Sequence, residues 1–171
     1  MLFSSDMFLS HTIWDERNKV LSEKNSNNEK GLQLFTRLVD LFIVACSIGI
    51  CEDKVLKDNC SQITSIGRNT LQTNSDINVI MEFMFQNAIL NTKTIDLDLE
   101  TRKRYAFGDA KVTGEFSPVN FLPQFANYGM TVLMKCVTEN DVETADNIKN
   151  LIDEYMVYTQ DLEEDYEIDE I

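Results

Sequence analysis

One stretch of the sequence, residues 102–111, combines basic side chains with aromatic ones. The residues that would carry its chemistry are Arg102, Lys103, Arg104, Tyr105 and Lys111. Cationic side chains hold phosphate groups and aromatic rings stack on unpaired bases, so the combination is typical of nucleic-acid contacts. Acidic residues at positions 96, 98 and 100 lie directly upstream and oppose that attraction. The cluster therefore supports nucleic-acid contact as the alternative function rather than the leading one.

The same acidic residues, Asp96, Asp98 and Glu100, alternate with other residues as the first ligands of a calcium loop do. The sharp turn of such a loop needs glycine at the next position, where Thr101 stands. We interpret the three acids as a solvated helix start, where negative charge complements the helix dipole. The single histidine, His11, has no nucleophile pattern around it, and no two cysteines have the two-residue spacing of a zinc or redox motif. The sequence predicts no catalytic residue, no cofactor and no metal site, and hence no enzyme.

Two segments, residues 34–48 and 77–90, carry apolar side chains on nearly all sides of a helix. A helix with this pattern is buried in a protein core. Gly49, followed by apolar Ile50, is the predicted end of the first of these helices. The fold class predicted is therefore mainly α, a single domain of five or six helices around these two.

The remaining segments predict the elements that cover the central pair. Helical spacing or helix caps mark residues 6–22, 94–107, 122–137 and 142–156. Asn74 or Ser75 caps the second central helix, Ser117 with Pro118 opens another, and Asn140 caps the last. Minor β pieces are expected at most, within 61–72 and 110–116.

The charge balance limits the partners. The chain has 171 residues, with 15 basic and 29 acidic ones and a net charge of −14. This balance disfavours bulk attraction to DNA, RNA or anionic membranes. The first residues lack the basic stretch of a signal peptide, and the apolar run at 41–50 is shorter than the roughly 20 residues that span a bilayer. The sequence predicts a cytoplasmic protein with no membrane segment.

The C-terminal residues 161–171 include seven acidic residues and no basic one. Such a block repels itself and is typical of a disordered tail. We predict one helical domain over residues 1–160, followed by this tail. The tail either docks on a basic partner surface or only keeps the chain in solution.

A sequence pattern in residues 35–54 resembles small accessory proteins associated with phosphorothioate DNA-modification (Dnd-type) defence systems. An aromatic-Thr pair precedes a helix of the form xxDxFxxAxxxG and a charged loop. The matching positions are Phe35, Thr36, Asp40, Phe42, Ala45 and Gly49. The resemblance covers about 20 residues and supplies no catalytic residue. It implies a context, an accessory subunit of a DNA-modifying or defence assembly.

The leading function is a non-enzymatic protein-interaction or accessory subunit. Two helices that are apolar all round need more cover than one small domain readily offers, and uncovered apolar patches usually mark interfaces. The predicted interface residues are Met81, Phe83, Met84 and Phe85. A two-fold homodimer would close such a patch. In the competing view, residues 51–73 fold over it through Ile63, Ile66 and Leu71, and the chain stays a monomer.

Overall fold

The computed structural model describes residues 3, 5–21, 34–57, 64–108 and 112–164, without the side chains of residues 16, 18, 19 and 157–164. Within these ranges, seven α-helices and one two-stranded sheet form a single mainly α domain, which confirms the predicted class. The elements are β1 Met7–Phe8, α1 His11–Leu21, α2 Leu38–Cys51, β2 Ser65–Ile66, α3 Arg68–Thr73, α4 Ser75–Asn91, α5 Leu99–Phe107, α6 Pro118–Leu133 and α7 Asp141–Glu164. Two 3-10 turns flank α6, over Gly114–Phe116 and Met134–Cys136.

The core is built on the crossing of α2 and α6, which make the most extensive helix–helix contact of the domain. Two glycines, one on each helix, allow the backbones to touch there. A methyl group on Gly129 would overlap the carbonyl oxygen of Ala45, and one on Gly49 would overlap that of Phe125. Gly49 is therefore a packing residue inside α2, and the prediction that it ends the helix is wrong.

The helix α2 ends at Cys51, two residues after Gly49, by the predicted type of stop, and Asp53 takes the position predicted for Gly49. Asp53 has a φ of 49°, the left-handed conformation that usually falls to glycine. Its N–H donates to Ile50 at 3.0 Å, and the N–H of Lys54 donates to Gly49 at 3.0 Å. These are the two hydrogen bonds of a Schellman motif. The start of α2 also lies later than predicted, at Leu38, because Arg37 is extended.

The N-terminal segment departs from the predicted helix 6–22, because the helix begins at His11. Met7 pairs with Ile66 and Phe8 with Ser65 in an antiparallel ladder. Met7 is buried and Phe8 exposed, which is the alternation of a strand rather than of a helix. The strand expected within 61–72 is confirmed as β2, and α3 is a helix that the sequence analysis did not predict. Residues 112–116 contain no strand.

The helix caps follow the sequence closely. The side chains of Asn74 and Asn140 each accept hydrogen bonds from two N–H groups in the first turns of α4 and α7. Pro118 occupies the first turn of α6, and Ser117 holds the N-cap position, although its hydroxyl donates to the carbonyl oxygen of Gly114 instead of capping the helix. The helix α5 starts at Leu99 rather than at position 94, because Asp98 caps it.

The last helix extends beyond residue 160, where the predicted domain ends. Helix α7 continues to Glu164, so the first four residues of the predicted tail are helical. Residues 165–171 lie outside the described ranges. In the described part of the chain, no helix has both the length and the apolarity needed to cross a membrane.

Candidate functional site

The outer face of α4 carries three adjacent apolar residues at the surface. Val79 is 65% exposed, Ile80 is 43% exposed and Phe83 is 66% exposed. They lie within one turn of each other on the same side of the helix. We call these three residues the α4 outer patch. Scattered exposed apolar residues are normal on a protein surface, whereas a contiguous patch marks an interaction site.

The composition of α4 is also unusual for an exposed helix. Only two of its 17 residues, Asp76 and Glu82, are charged. The exposed positions around the patch are mostly uncharged, with Asn87 and Asn91 continuing its face towards the C-terminus. Depletion of charge is the compositional mark of the centre of an interface.

The other predicted interface residues face inward. Met81, Met84 and Phe85 are buried in the core of the same chain, against α6 among other elements. The ring of Phe85 makes an edge-on contact with Phe121 at 6.2 Å. The structure thus leaves Phe83 alone of the four at the surface. The prediction missed Val79 and Ile80, although their positions at i−4 and i−3 from Phe83 give the signal.

Arg102, the first residue of the predicted basic cluster, binds the C-terminal end of α4. Its guanidinium donates to the carbonyl oxygens of Leu97 at 2.8 Å, Ile95 at 2.8 Å and Thr92 at 2.6 Å. It also reaches the last carbonyls of α4 itself. Carbonyls in a final helical turn lack intrahelical partners and attract cations. Arg102 is therefore engaged by the fold and is not directed at an outside ligand.

The remaining members of the cluster are dispersed. Lys103 forms an exposed ion pair with Glu100 at 3.1 Å. Arg104 is exposed, and the ring of Tyr105 packs against Phe116 at 6.1 Å. Lys111 lies outside the described residues. The cations that the described part of α5 presents at its surface are thus Lys103 and Arg104.

A polar cluster that the sequence analysis missed joins three helices at the end of α2. The carboxylate of Glu52 accepts from the hydroxyls of Tyr128 and Tyr155, both at 2.6 Å. It also pairs with Lys54 at 2.8 Å. The hydrogen bonds from Lys54, Tyr128 and Tyr155 lower the pKa of Glu52 to about 2. Tyr128 and Tyr155 are 76 and 103 residues away from Glu52 in sequence, so no local pattern could have revealed the cluster.

The next residue, Asp53, joins the ends of α2 and α4. Its carboxylate accepts from the Thr92 hydroxyl and, at 2.8 Å, from the N–H of Lys93. A pocket of about 130 Å³ lies beside it and includes Asn87 and Phe125 in its lining. Binding sites for small molecules are usually about 300–1,000 Å³. The pocket is too small for an ordinary organic ligand, and Asp53 is explained by its role as a connector.

The described cysteines do not form a reactive centre. Burial raises the pKa of Cys46, Cys51 and Cys136 above the ordinary thiol value. Because the thiolate is the nucleophile and the metal ligand, these shifts oppose both roles. Among the described residues, no three His, Cys, Asp or Glu side chains lie together as a metal site.

Comparisons with protein-family models, curated proteins and solved structures find no match for this chain. Three of the six positions that carry the resemblance noted in the sequence have packing roles in the fold, whereas Thr36 is exposed and Asp40 pairs with Arg37. Phe42 contacts Trp14, with ring centroids 6.0 Å apart, and Ala45 and Gly49 lie where α2 meets α6.

Proposed function

We propose that this protein is a non-enzymatic interaction subunit that binds its partner through the α4 outer patch. The observation that carries the proposal is the exposure of Val79, Ile80 and Phe83 side by side on a helix with only two charges. Keeping one large apolar side chain in water forfeits about 1.5–3 kcal/mol of burial. A partner that covers the patch recovers about half to two thirds of this free energy at each of the three positions, in proportion to the exposed fraction.

The test is affinity purification from the native host with a patch variant, Val79→Ser combined with Phe83→Ser. The matched control is Val142→Ser on α7, since Val142 is 66% exposed and Val79 is 65% exposed. We expect a partner that the parent and the control retain and the patch variant loses. The same partners with all three proteins would contradict the proposal.

The resemblance in residues 35–54 adds a context to this proposal. It supports an accessory role in a DNA-modifying or defence assembly, in which the partner would be another subunit. Proteins of nucleic-acid modification should then be enriched among the partners that depend on the patch. Partners of unrelated function would contradict the role in a DNA-modifying or defence assembly, whereas the proposed interaction function would still stand.

A second candidate function is contact with nucleic acid through α5. Lys103 and Arg104 are exposed on this helix, and Phe107 beside them is 67% exposed. The informative variant combines Lys103→Glu with Arg104→Glu, because changing Arg102 would disturb the fold instead. A shift of labelled single-stranded DNA at low salt, lost in this variant, would support the candidate, and the absence of any shift would remove it.

A further inference from the structure

We infer that the partner at the α4 outer patch is a second copy of this chain, bound through antiparallel pairing of the two α4 helices. The inference rests on the proposed function and names its partner. In this arrangement a two-fold axis passes between Ile80 and Phe83. Ile80 of each copy then faces Phe83 of the other, and the apolar patch is covered by itself.

The polar residues at the two ends of this contact are complementary in the same register. The pairing that joins Ile80 to Phe83 places Asp76 of one copy opposite Asn87 of the other. The side-chain oxygen of Asn87 accepts from Asn91 at 2.8 Å, which leaves the amide hydrogens of Asn87 for an acceptor. The carboxylate of Asp76 is such an acceptor and lies at the exposed start of α4. The result is an apolar centre with a polar rim, the usual arrangement of an interface.

The charge distribution favours this face over that of α7 for self-association. Two copies that each carry a net charge of −14 repel one another. Residues 75–107, which comprise α4, α5 and their connection, have five acidic and four basic residues, so this part of the chain is close to neutral. The exposed side of α7, in contrast, carries one base, Lys149, and five acids, Asp141, Glu143, Asp146, Asp153 and Glu154. A second copy thus meets less repulsion at α4 than at α7.

The size of the contact sets its strength. In this register residues 75–88 of the two helices overlap, so the 14 paired residues meet over about 21 Å. A single helix pair is a small interface compared with the roughly 800 Å² per partner of stable complexes. We therefore expect dissociation at micromolar concentrations, with exchange between monomer and dimer.

The first experiment is sedimentation equilibrium of the full chain across a concentration series. The expected result is a mass that rises with concentration from 19.7 kDa to twice that value. The variant Ile80→Ser with Phe83→Ser should stay a monomer, and the control Val142→Ser should behave as the parent. A constant monomer mass for the parent, or a dimer that persists in the variant with Ile80→Ser and Phe83→Ser, would overturn the inference.

The second experiment tests the register by disulfide formation. In a background with Cys51, Cys60 and Cys136 changed to Ser, we make Asp76→Cys and Asn87→Cys as separate chains. Antiparallel pairing predicts rapid disulfides only when the two chains are mixed. Disulfides within each chain type alone would indicate parallel pairing and overturn the inference.

The third experiment exchanges the two polar groups. Asn87→Asp places a second carboxylate opposite Asp76 at both ends and should weaken the dimer about tenfold. Adding Asp76→Asn to the same chain restores a carboxylate–amide pair and should recover the affinity. No recovery in the double variant would count against this register.

The failure of this inference can be distinguished from the failure of the proposed function. A parent chain that remains a monomer, yet loses a co-purified partner in the patch variant, overturns self-pairing and leaves the interaction function standing. A parent that neither dimerises nor loses any partner in that variant overturns both.

Discussion

Helices α2 and α4 have similar sequence patterns and different surroundings. Both are apolar on nearly all sides, yet the exposed residues of α2 are only Ser47 and Cys51, whereas α4 exposes Val79, Ile80 and Phe83. The difference comes from their neighbours. Glycines at the crossing of α2 and α6 allow backbone contact, so α6 covers α2 closely. Helix α4 is packed by α3, α5 and α6 and keeps one side open. The same hydrophobic pattern can thus indicate a core helix or an interface helix.

The largest expected effect is on the free energy of unfolding, and it distinguishes the buried face of α4 from the exposed face. Phe85→Ala should lower the free energy of unfolding by about 4 kcal/mol, because it removes a fully buried ring from the core. Phe83→Ala, two residues away and 66% exposed, should change it by less than about 0.5 kcal/mol. Urea unfolding of dilute samples measures both. Equal losses in the two variants would mean that α4 has no free face.

The next effect concerns the close crossing that covers α2. Gly129→Ala should lower the free energy of unfolding by about 3 kcal/mol, because the added methyl group overlaps the backbone of Ala45. Gly67→Ala is the matched control, since nothing lies within 4 Å of the methyl group it adds. The control should remain within about 0.5 kcal/mol of the parent. A Gly129→Ala variant as stable as the parent would show that α2 and α6 are not held this close.

A smaller effect is expected where α5 supports α4. Arg102→Met keeps an apolar stem and removes the donors that bind the carbonyls at the end of α4. We expect a loss of about 2 kcal/mol in the free energy of unfolding, because these part-buried carbonyls lose their partner. Arg104→Met, on the exposed side of the same helix, should have little effect. Thermal unfolding followed by circular dichroism checks this pair, and equal effects would contradict the assigned role.

The smallest effect depends on pH and concerns the cluster at the end of α2. Hydrogen bonds lower the pKa of Glu52 to about 2 from an ordinary 4.5. A carboxylate with a lowered folded-state pKa stabilises the protein above its unfolded-state pKa, and this stability is lost as the pH falls towards the folded value. Glu52→Gln should therefore lose about 1 kcal/mol at neutral pH, with solvent contact reducing the effect.

The difference between Glu52→Gln and the parent should shrink as the pH falls from about 5 to about 2. Denaturant unfolding across this range measures it. Glu115→Gln is the control, because that carboxylate is 63% exposed and lies 3.9 Å from Lys57. The free energy of unfolding of this control should stay close to that of the parent over the whole pH range. A constant difference for Glu52→Gln would mean that its carboxylate charge is not what joins α2 to α6 and α7.

Much of the fold could be predicted because its signals are local. The caps at Asn74 and Asn140, and the proline in the first turn of α6, act within one helical turn, and the structure confirms them. The hydrophobic pattern likewise places α4 correctly. The strand at Met7–Phe8 was missed because two residues are too few to show a period, and their pairing with β2 is non-local.

The parts of the candidate site that depend on tertiary contacts could not be predicted. Gly49 has the same local sequence whether it ends a helix or touches α6 from within one. Arg102 belongs to a basic run in sequence, and only the fold directs its side chain to the carbonyls of α4. Of Met81, Phe83, Met84 and Phe85, only Phe83 is exposed. The sequence does not show this, because it does not show which side of α4 the rest of the chain covers.

The buried Trp14 gives the domain an intrinsic optical signal. It is the only tryptophan in the chain, and its side chain is fully buried. Its indole N–H donates to Asn127 of α6 at 2.8 Å, and its ring lies against Phe42 of α2. Because the residue belongs to α1, its fluorescence reports the docking of that helix on both α2 and α6. Exposure of the indole to water shifts its emission to longer wavelengths, so the assembly of three helices can be followed in real time without a label.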